Sequence, residues 1–204
     1  MPISDCDVRD PRIRRTRQPL QGALTQLLGT KSFDDISVQD ITDAATVNRA
    51  TFYDHYTDKF ALLESMIAGG FHKILEERSV RYDGTCPSAA GVIILAACDY
   101  LTNLRAASGC QERRSNVEAL EDGAMIAAIR RVLADGMAKN TTIPEERRMM
   151  QSAAVSWAIY GAIKEWLKMQ DRPPAEAIVP EIVALVAPLL GNAREEHHSV
   201  TASR

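Results

Sequence analysis

Asn48, Arg49, Thr51, Tyr53 and His55 fall within eight residues of one another, at a spacing that puts most of them on the outside of a short helix. Their chemistry is that of nucleic-acid recognition. An arginine guanidinium bonds guanine with two parallel N–H groups, and asparagine caps a helix or meets a base. The hydroxyls of Thr51 and Tyr53 suit phosphate oxygens, and His55 suits a phosphate or a base. Lys59 follows four residues later, at the start of another helix, where its charge and free backbone N–H groups together favour phosphate. Ser37 and Gln39, upstream, are placed to clamp a sugar-phosphate backbone. Asp54 would repel phosphate, so it is expected to turn away or pair with an arginine.

Such side chains need rigid neighbours. Ser37 with Asp40 three residues on is a capping-box variant that starts a short helix. Val38, Ile41, Ala44 and Ala45 give that helix an inner face, and Val47 closes the turn after it. Asn48 caps the next helix, which runs to about Tyr56 with Phe52 as its inward anchor. Asp58 caps the one after, whose period continues to near Val80. Two helices of about eight residues, a short turn and small residues at Ala44, Ala45 and Ala50 make a helix-turn-helix, in which the second helix enters the major groove. A plain helical bundle with solvated polar residues accounts for any one of these positions, but less well for the set. Before them, Leu20, Leu24, Leu27 and Leu28 mark a first helix from about Arg17 to Gly29. With Thr16 as N-cap, Pro19 is its third residue, where no donor is needed. Arg9, Arg12, Arg14, Arg15 and Arg17 then form a flexible basic arm opposed only by Asp10.

The segment KSFDDISVQDITDAATVNRATFYDHYTDKFALL closely resembles the N-terminal domain of TetR/AcrR-type transcriptional repressors. The resemblance covers about residues 14–65, and its diagnostic pieces are ISVQDITDAATV, NRATFYDHY and DKFALL. It implies an all-α homodimer: an N-terminal three-helix helix-turn-helix DNA-binding domain plus a C-terminal helical ligand-binding and dimerisation domain. It also implies that Arg49, Ala50, Thr51, Tyr53, His55 and Lys59 touch double-stranded DNA. The chain departs from the pattern at Pro19. It departs again in charge, since residues 1–60 hold eight Lys or Arg against nine Asp or Glu. That balance puts weight on the arginine arm.

After the breaker RYDGTCP, the chain reads as four long helices, about 88–107, 116–140, 144–169 and 175–190. The third is apolar almost all round, and such a helix must be covered on every side. Its SWAIYGAIKEWLKM segment resembles, more weakly, the penultimate helix of many such repressors, with Gly161 permitting close approach. The dimer interface is therefore expected on the last two helices, as a four-helix bundle across a two-fold axis. Heads paired that way read a palindromic operator. Family members commonly hold a small molecule between the helices of this domain. The candidate wall residues here are Cys98, Tyr100, Leu101, Leu104, Met125, Ile129, Met150, Trp157 and Tyr160. Plain core packing is a competing account of each. Few charges other than Asp99 and Arg105 occur in these stretches, so an apolar or weakly polar effector is expected. It would act by shifting a two-state equilibrium in head separation.

Composition sets the outer bounds. Hydrophobic residues are 46% and charged residues 25% of 204, ordinary for a globular protein. The expected division is 1–60 for the head with its basic arm, 61–190 for the helical regulatory and dimerisation part, and 191–204 for a disordered tail. No apolar run approaches the roughly 18–20 residues of a membrane span, and the N-terminus lacks an apolar signal segment. A cytoplasmic protein with no membrane partner is expected. The net charge of −3 does not argue against DNA, because salt screens distant charges beyond about 10 Å. Cys6, Cys86, Cys98 and Cys110 form no C-x-x-C pair, so neither a metal nor a cofactor is implied. Buried thiols are the expectation, with a redox sensor as the lesser alternative. No nucleophile motif, phosphate loop or H-E-x-x-H occurs, so the chain is not expected to be an enzyme. The acidic lean leaves one alternative open: a protein-interaction adaptor that keeps the helix-turn-helix fold without specific DNA binding.

Overall fold

A computed structural model describes residues 11–80, 82, 87–107, 115–139 and 143–191. Among these residues all regular structure is helical: α1 (Pro11–Leu28), α2 (Val38–Ala45), α3 (Arg49–His55), α4 (Lys59–Glu77), α5 (Pro87–Ala107), α6 (Ser115–Met137), α7 (Glu145–Lys168) and α8 (Ala175–Gly191). The chain divides into two compact units, Met1–Lys73 with Asn103–Met125, and Ile74–Thr102 with Ile126–Arg204. The arginine arm's first member, Arg9, and the tail beyond Gly191 lie outside the described residues.

In the first unit, α1 packs on α2 and α2 on α3. Leu20, Ala23 and Leu24 of α1 meet a core of Phe33, Ile36, Ile41, Phe52, Tyr56, Leu62 and Ile67, all buried. The first helix differs from expectation. It starts at Pro11 and runs through Pro19, so residues 11–16 are helical and not an irregular arm. Proline suits a first helical position, where its missing N–H is not needed. Pro19 removes a bond inside the helix and costs about 3 kcal/mol. Burial of the Leu20, Ala23 and Leu24 stripe favours continuing the helix in spite of it.

The second unit holds Ile93, Ile94, Ala97 and Cys98 of α5, Ile129, Leu133 and Met137 of α6, Val155, Ile159, Ile163 and Trp166 of α7, and Ile182 and Val186 of α8 in its interior. Gly91 of α5 faces α8: a Cβ there would make ordinary contact with Val179 Cγ1 at 3.4 Å and Val183 Cγ2 at 3.5 Å. Between α7 and α8 the chain is short, and the two helices pack on each other. Trp166 Nε1 donates to Pro173 O at 2.9 Å, and Arg172 stacks on the Trp166 ring at 4.7 Å, which closes that connection.

One feature corrects the sequence reading. The Ala89–Ala106 stretch of α5 is long and apolar enough to cross a bilayer by length and composition, but Ile93, Ile94, Ala96, Ala97 and Cys98 are buried among protein side chains, and Asp99 within it pairs with Arg78. Helix α7, for which cover from another subunit is expected, leaves one side uncovered within the chain itself: Trp157 is 65% and Met150 69% exposed.

Candidate nucleic-acid interface

The interface is built on three caps. Ser37 Oγ accepts from the Asp40 backbone N–H at 3.1 Å, and Asp40 Oδ2 accepts from the Ser37 backbone N–H at 2.8 Å, a complete capping box. The Ser37 hydroxyl also donates to Asp40 Oδ2, at 2.6 Å, and Lys31 Nζ reaches Oδ1 at 2.9 Å. These bonds from Ser37 and then from Lys31 favour the ionised form and hold the Asp40 carboxyl well below the usual carboxylate range. Lys31 was not singled out by the sequence. The only signal was a cation nine residues ahead of a capping-box acid.

Helix α2 ends at Thr46, whose φ of 55° lies in the left-handed region. The Thr46 N–H donates to Asp43 O at 3.2 Å and the Val47 N–H to Thr42 O at 3.0 Å, the paired bonds of a Schellman end. That end turns the chain so that Asn48 can start α3. Asn48 Oδ1 accepts from the Ala50 N–H at 2.9 Å. The third cap is Asp58, whose Oδ1 accepts from the Ala61 N–H at 2.8 Å and opens α4.

Helix α3 has two sides. Phe52 is fully buried, with the Tyr53 ring edge-on at 5.5 Å and the Tyr56 ring at 5.8 Å. Burying a phenylalanine contributes about 1.5–3 kcal/mol, enough to fix which way a seven-residue helix faces. The exposed arc carries Arg49, Ala50, Tyr53 and Asp54, with Ala50 and Asp54 opposite Phe52 and Arg49 and Tyr53 about 60° and 100° round from it. Arg49 Nη2 donates to the Tyr53 hydroxyl at 3.3 Å, and its guanidinium lies 5.6 Å from the Tyr53 ring centroid. The pair at i and i+4 is thus held outward and preorganised. Thr51 and His55 are half-buried at the edges of that arc. Asp54 is exposed about 140° round the helix from Arg49.

Five other candidates are placed as follows. Gln39 Nε2 donates to Asp43 Oδ1 at 2.7 Å along α2. Arg15 is exposed on α1, and Arg14 lies on the same helix with its side chain outside the described residues. Arg17, expected in the arm, is only 6% exposed, and its guanidinium stacks 5.2 Å from the Tyr56 ring centroid. At i, i+3 and i+7, Arg17 falls on the same helical face as Leu20 and Leu24 and is carried inward with them. Lys59, expected at phosphate, donates instead to the carbonyl oxygens of Phe33 at 2.8 Å, Asp34 at 3.0 Å and Ile36 at 2.7 Å. An ammonium has three donors, and all three are used.

Of the candidate ligand-wall residues, Cys98, Leu101, Met125, Ile129 and Tyr160 are buried and Tyr100 and Leu104 are half-buried. Met150 and Trp157 are corrected: both project from the exposed side of α7 and so do not face an interior. Burial, and then the neighbouring Asp99, push the Cys98 thiol up to about 12. It stays protonated at neutral pH, as a buried structural thiol does. Cys6, Cys86 and Cys110 lie outside the described residues.

Comparison with known proteins agrees with this geometry. The family model described as "Bacterial regulatory proteins, tetR family" matches residues 22–66. An uncharacterized HTH-type transcriptional regulator, YxbF of Bacillus subtilis, is 39% identical over 72 residues, covering 35% of this chain and 19% of its own length. The HTH-type transcriptional regulator EthR of Mycolicibacterium smegmatis is 37% identical over 67 residues, 29% of this chain and 31% of its own length. The matched stretch therefore spans less than a third of either relative. A solved TetR transcriptional regulator from Rhodococcus sp. RHA1 superposes with a TM-score of 0.52 at 18% identity, covering 86% of this chain and 98% of that one. The dihydroxyacetone kinase operon activator DhaS does so with a TM-score of 0.50 at 16% identity, covering 86% and 96%. The likeness to these two structures is one of fold.

Proposed function

We propose that this chain, which belongs to the tetR family of bacterial regulatory proteins, is a ligand-responsive transcriptional repressor that binds a palindromic operator as a homodimer and is released by a small, apolar effector. Residues 1–60 are the reading head and 61–190 the regulatory and dimerisation part. The observation that carries this reading is the two-sided build of α3. Phe52 anchors the helix in the core, and the stacked Arg49–Tyr53 pair stands on the exposed arc beside it. A helix presented that way suits the major groove, with Arg49 at its N-terminal end reading a guanine. Asn48, Ala50, Thr51 and His55 border the same surface, and the Ser37 and Gln39 end of α2 approaches the phosphates.

The dimer reading is supported by α7 and α8. Met150, Ala154, Trp157 and Gly161 recur at helical spacing along the exposed side of α7, and Leu185 and Leu189 project from α8. A Cβ added at Gly161 would meet nothing within 4 Å, so a second backbone has room to come close. An apolar stripe of that size on one chain is a surface for association. The effector reading is supported by the interior of the second unit, where Cys98, Leu101, Ile129 and Tyr160 offer apolar walls. A neutral ligand suits them better than an ion.

The test is an electrophoretic shift on the DNA flanking the chain's own coding region. The wild-type protein should bind, with affinity falling steeply as salt rises. Arg49→Ala should bind about 10- to 100-fold more weakly, as expected when a bidentate base contact is lost. Absence of a shift at low salt would refute the proposal.

A further inference from the structure

We propose that Lys59 is a positioning residue for the reading helix and not a phosphate ligand, an inference that rests on the DNA-binding function argued above. Its ammonium sits where three backbone carbonyl oxygens converge, those of Phe33, Asp34 and Ile36, at 2.7–3.0 Å. Carbonyl oxygens so gathered repel one another, and only a cation with donors in three directions holds them together. The ammonium also lies 4.8 Å from the Phe33 ring centroid and 5.7 Å from that of Phe60, and the two rings meet edge-on at 5.3 Å. The attraction of a cation to the ring faces adds to its placement there.

What the ammonium holds is the turn that aims the helix-turn-helix. The Asp35 N–H bonds Ser32 O and the Ile36 N–H bonds Phe33 O, both at 3.1 Å, so the segment is already a tight double bend. Phe33 and Ile36 are buried at its two ends. The next residue, Ser37, is the N-cap of α2. Through the Schellman end at Thr46, α2 sets the start of α3. Lys59 is the first residue of α4. It therefore fastens the bend that starts α2 to the first turn of α4, with α3 lying between them in sequence.

The alternatives differ in measurable ways. A lysine on phosphate releases counterions, so its loss should flatten the slope of log K against log salt by about 0.9, and arginine should replace it at least as well. A lysine on three converging carbonyls should behave otherwise, because a flat guanidinium fork does not place donors on three such points. Lys59→Met, which keeps an unbranched apolar stem and removes the ammonium, should lower affinity for the DNA flanking the coding region at least tenfold. Its salt slope should equal that of the wild type, and Lys59→Arg should not restore binding. Amide hydrogen exchange should quicken at residues 33–37 in Lys59→Met with no DNA present. All binding is to be measured well below each variant's melting temperature, so that a loss reflects the folded protein. Should Lys59→Met fail to fold, Lys59→Gln, which retains N–H donors, carries the same slope and exchange measurements. A slope lowered by about one contact, full activity in Lys59→Arg, or unchanged exchange at 33–37 would each overturn the proposal. If the wild type binds no DNA, the functional reading falls, and the exchange experiment alone still decides whether Lys59 holds the bend.

Discussion

Replacing Thr46 by glycine should stabilise the protein. Thr46 ends α2 with φ 55° and ψ 43°, in the position of a Schellman motif that glycine usually fills. A residue with a Cβ in this conformation costs about 1–2 kcal/mol, and a β-branched one belongs at the upper end. The side chain is exposed, so its removal forfeits little packing. Against the gain stands the extra freedom of glycine in the unfolded chain, about 0.5–1 kcal/mol. The net expectation is a stabilisation of about 0.5–1 kcal/mol. For a chain of this size that is a rise in melting temperature of about 1–4 °C. Thr46→Ala is the control. It keeps the Cβ and so should stay within about 0.5 kcal/mol of the wild type. Circular dichroism melts and urea titrations of all three proteins measure the difference. A second site tests the same logic. Ser79, after α4, has φ 53° and the same bond pattern, with its N–H on Glu76 O at 2.9 Å and the Val80 N–H on Leu75 O at 2.9 Å. Ser79→Gly should therefore stabilise too. If Thr46→Gly proves no more stable than Thr46→Ala, the strain assigned to this turn is not there.

The remaining predictions concern acid sensitivity and association. Because bonds from Ser37 and Lys31 depress the folded-state Asp40 pKa below its ordinary 3.8, the stability Asp40 contributes is fully present above that value and is lost as pH falls below it. Asp40→Asn should be less stable than the wild type at neutral pH, with the gap closing in acid, as followed by urea titration at several pH values. Trp157→Glu and Leu185→Glu each place a carboxylate on the exposed apolar side of α7 and α8 and should leave the fold intact. Each should weaken self-association about 30-fold or more, seen in sedimentation as a shift from dimer to monomer.

The head was legible in the sequence because its boundaries are written in short side chains. Ser37 with Asp40, Asn48 and Asp58 each cap the helix they were expected to cap. Phe52 is the inward anchor that its position implied. What failed to show was any feature decided by distant backbone. The start of α1 was misjudged because proline rules weigh local cost, whereas the burial of Leu20, Ala23 and Leu24 is a tertiary gain. Arg17 differs for another reason: its spacing to Leu20 and Leu24 was legible, but grouping it with the basic arm ignored that phase. On α7 the period of apolar residues was right, but a single sequence cannot say which of them the chain itself covers. Ser156 and Ile159 are inside and Trp157 is outside, although all three sit in one apolar run.

The cations of the head divide by what they touch. Arg17 lies against Tyr56, Lys31 pairs with Asp40, and Lys59 holds three carbonyls. Three of the eight cations in residues 1–60 are thereby committed to holding the head together. On the proposed function, attraction for DNA would fall to those that face solvent, Arg49 on α3 and Arg15 on α1 among the described residues. Each charge near the groove acts within a Debye length of about 8–10 Å, so a sum over the whole head was the wrong quantity to weigh. Composition merges two groups of cations that the geometry separates: those bonded within the head and those left to solvent.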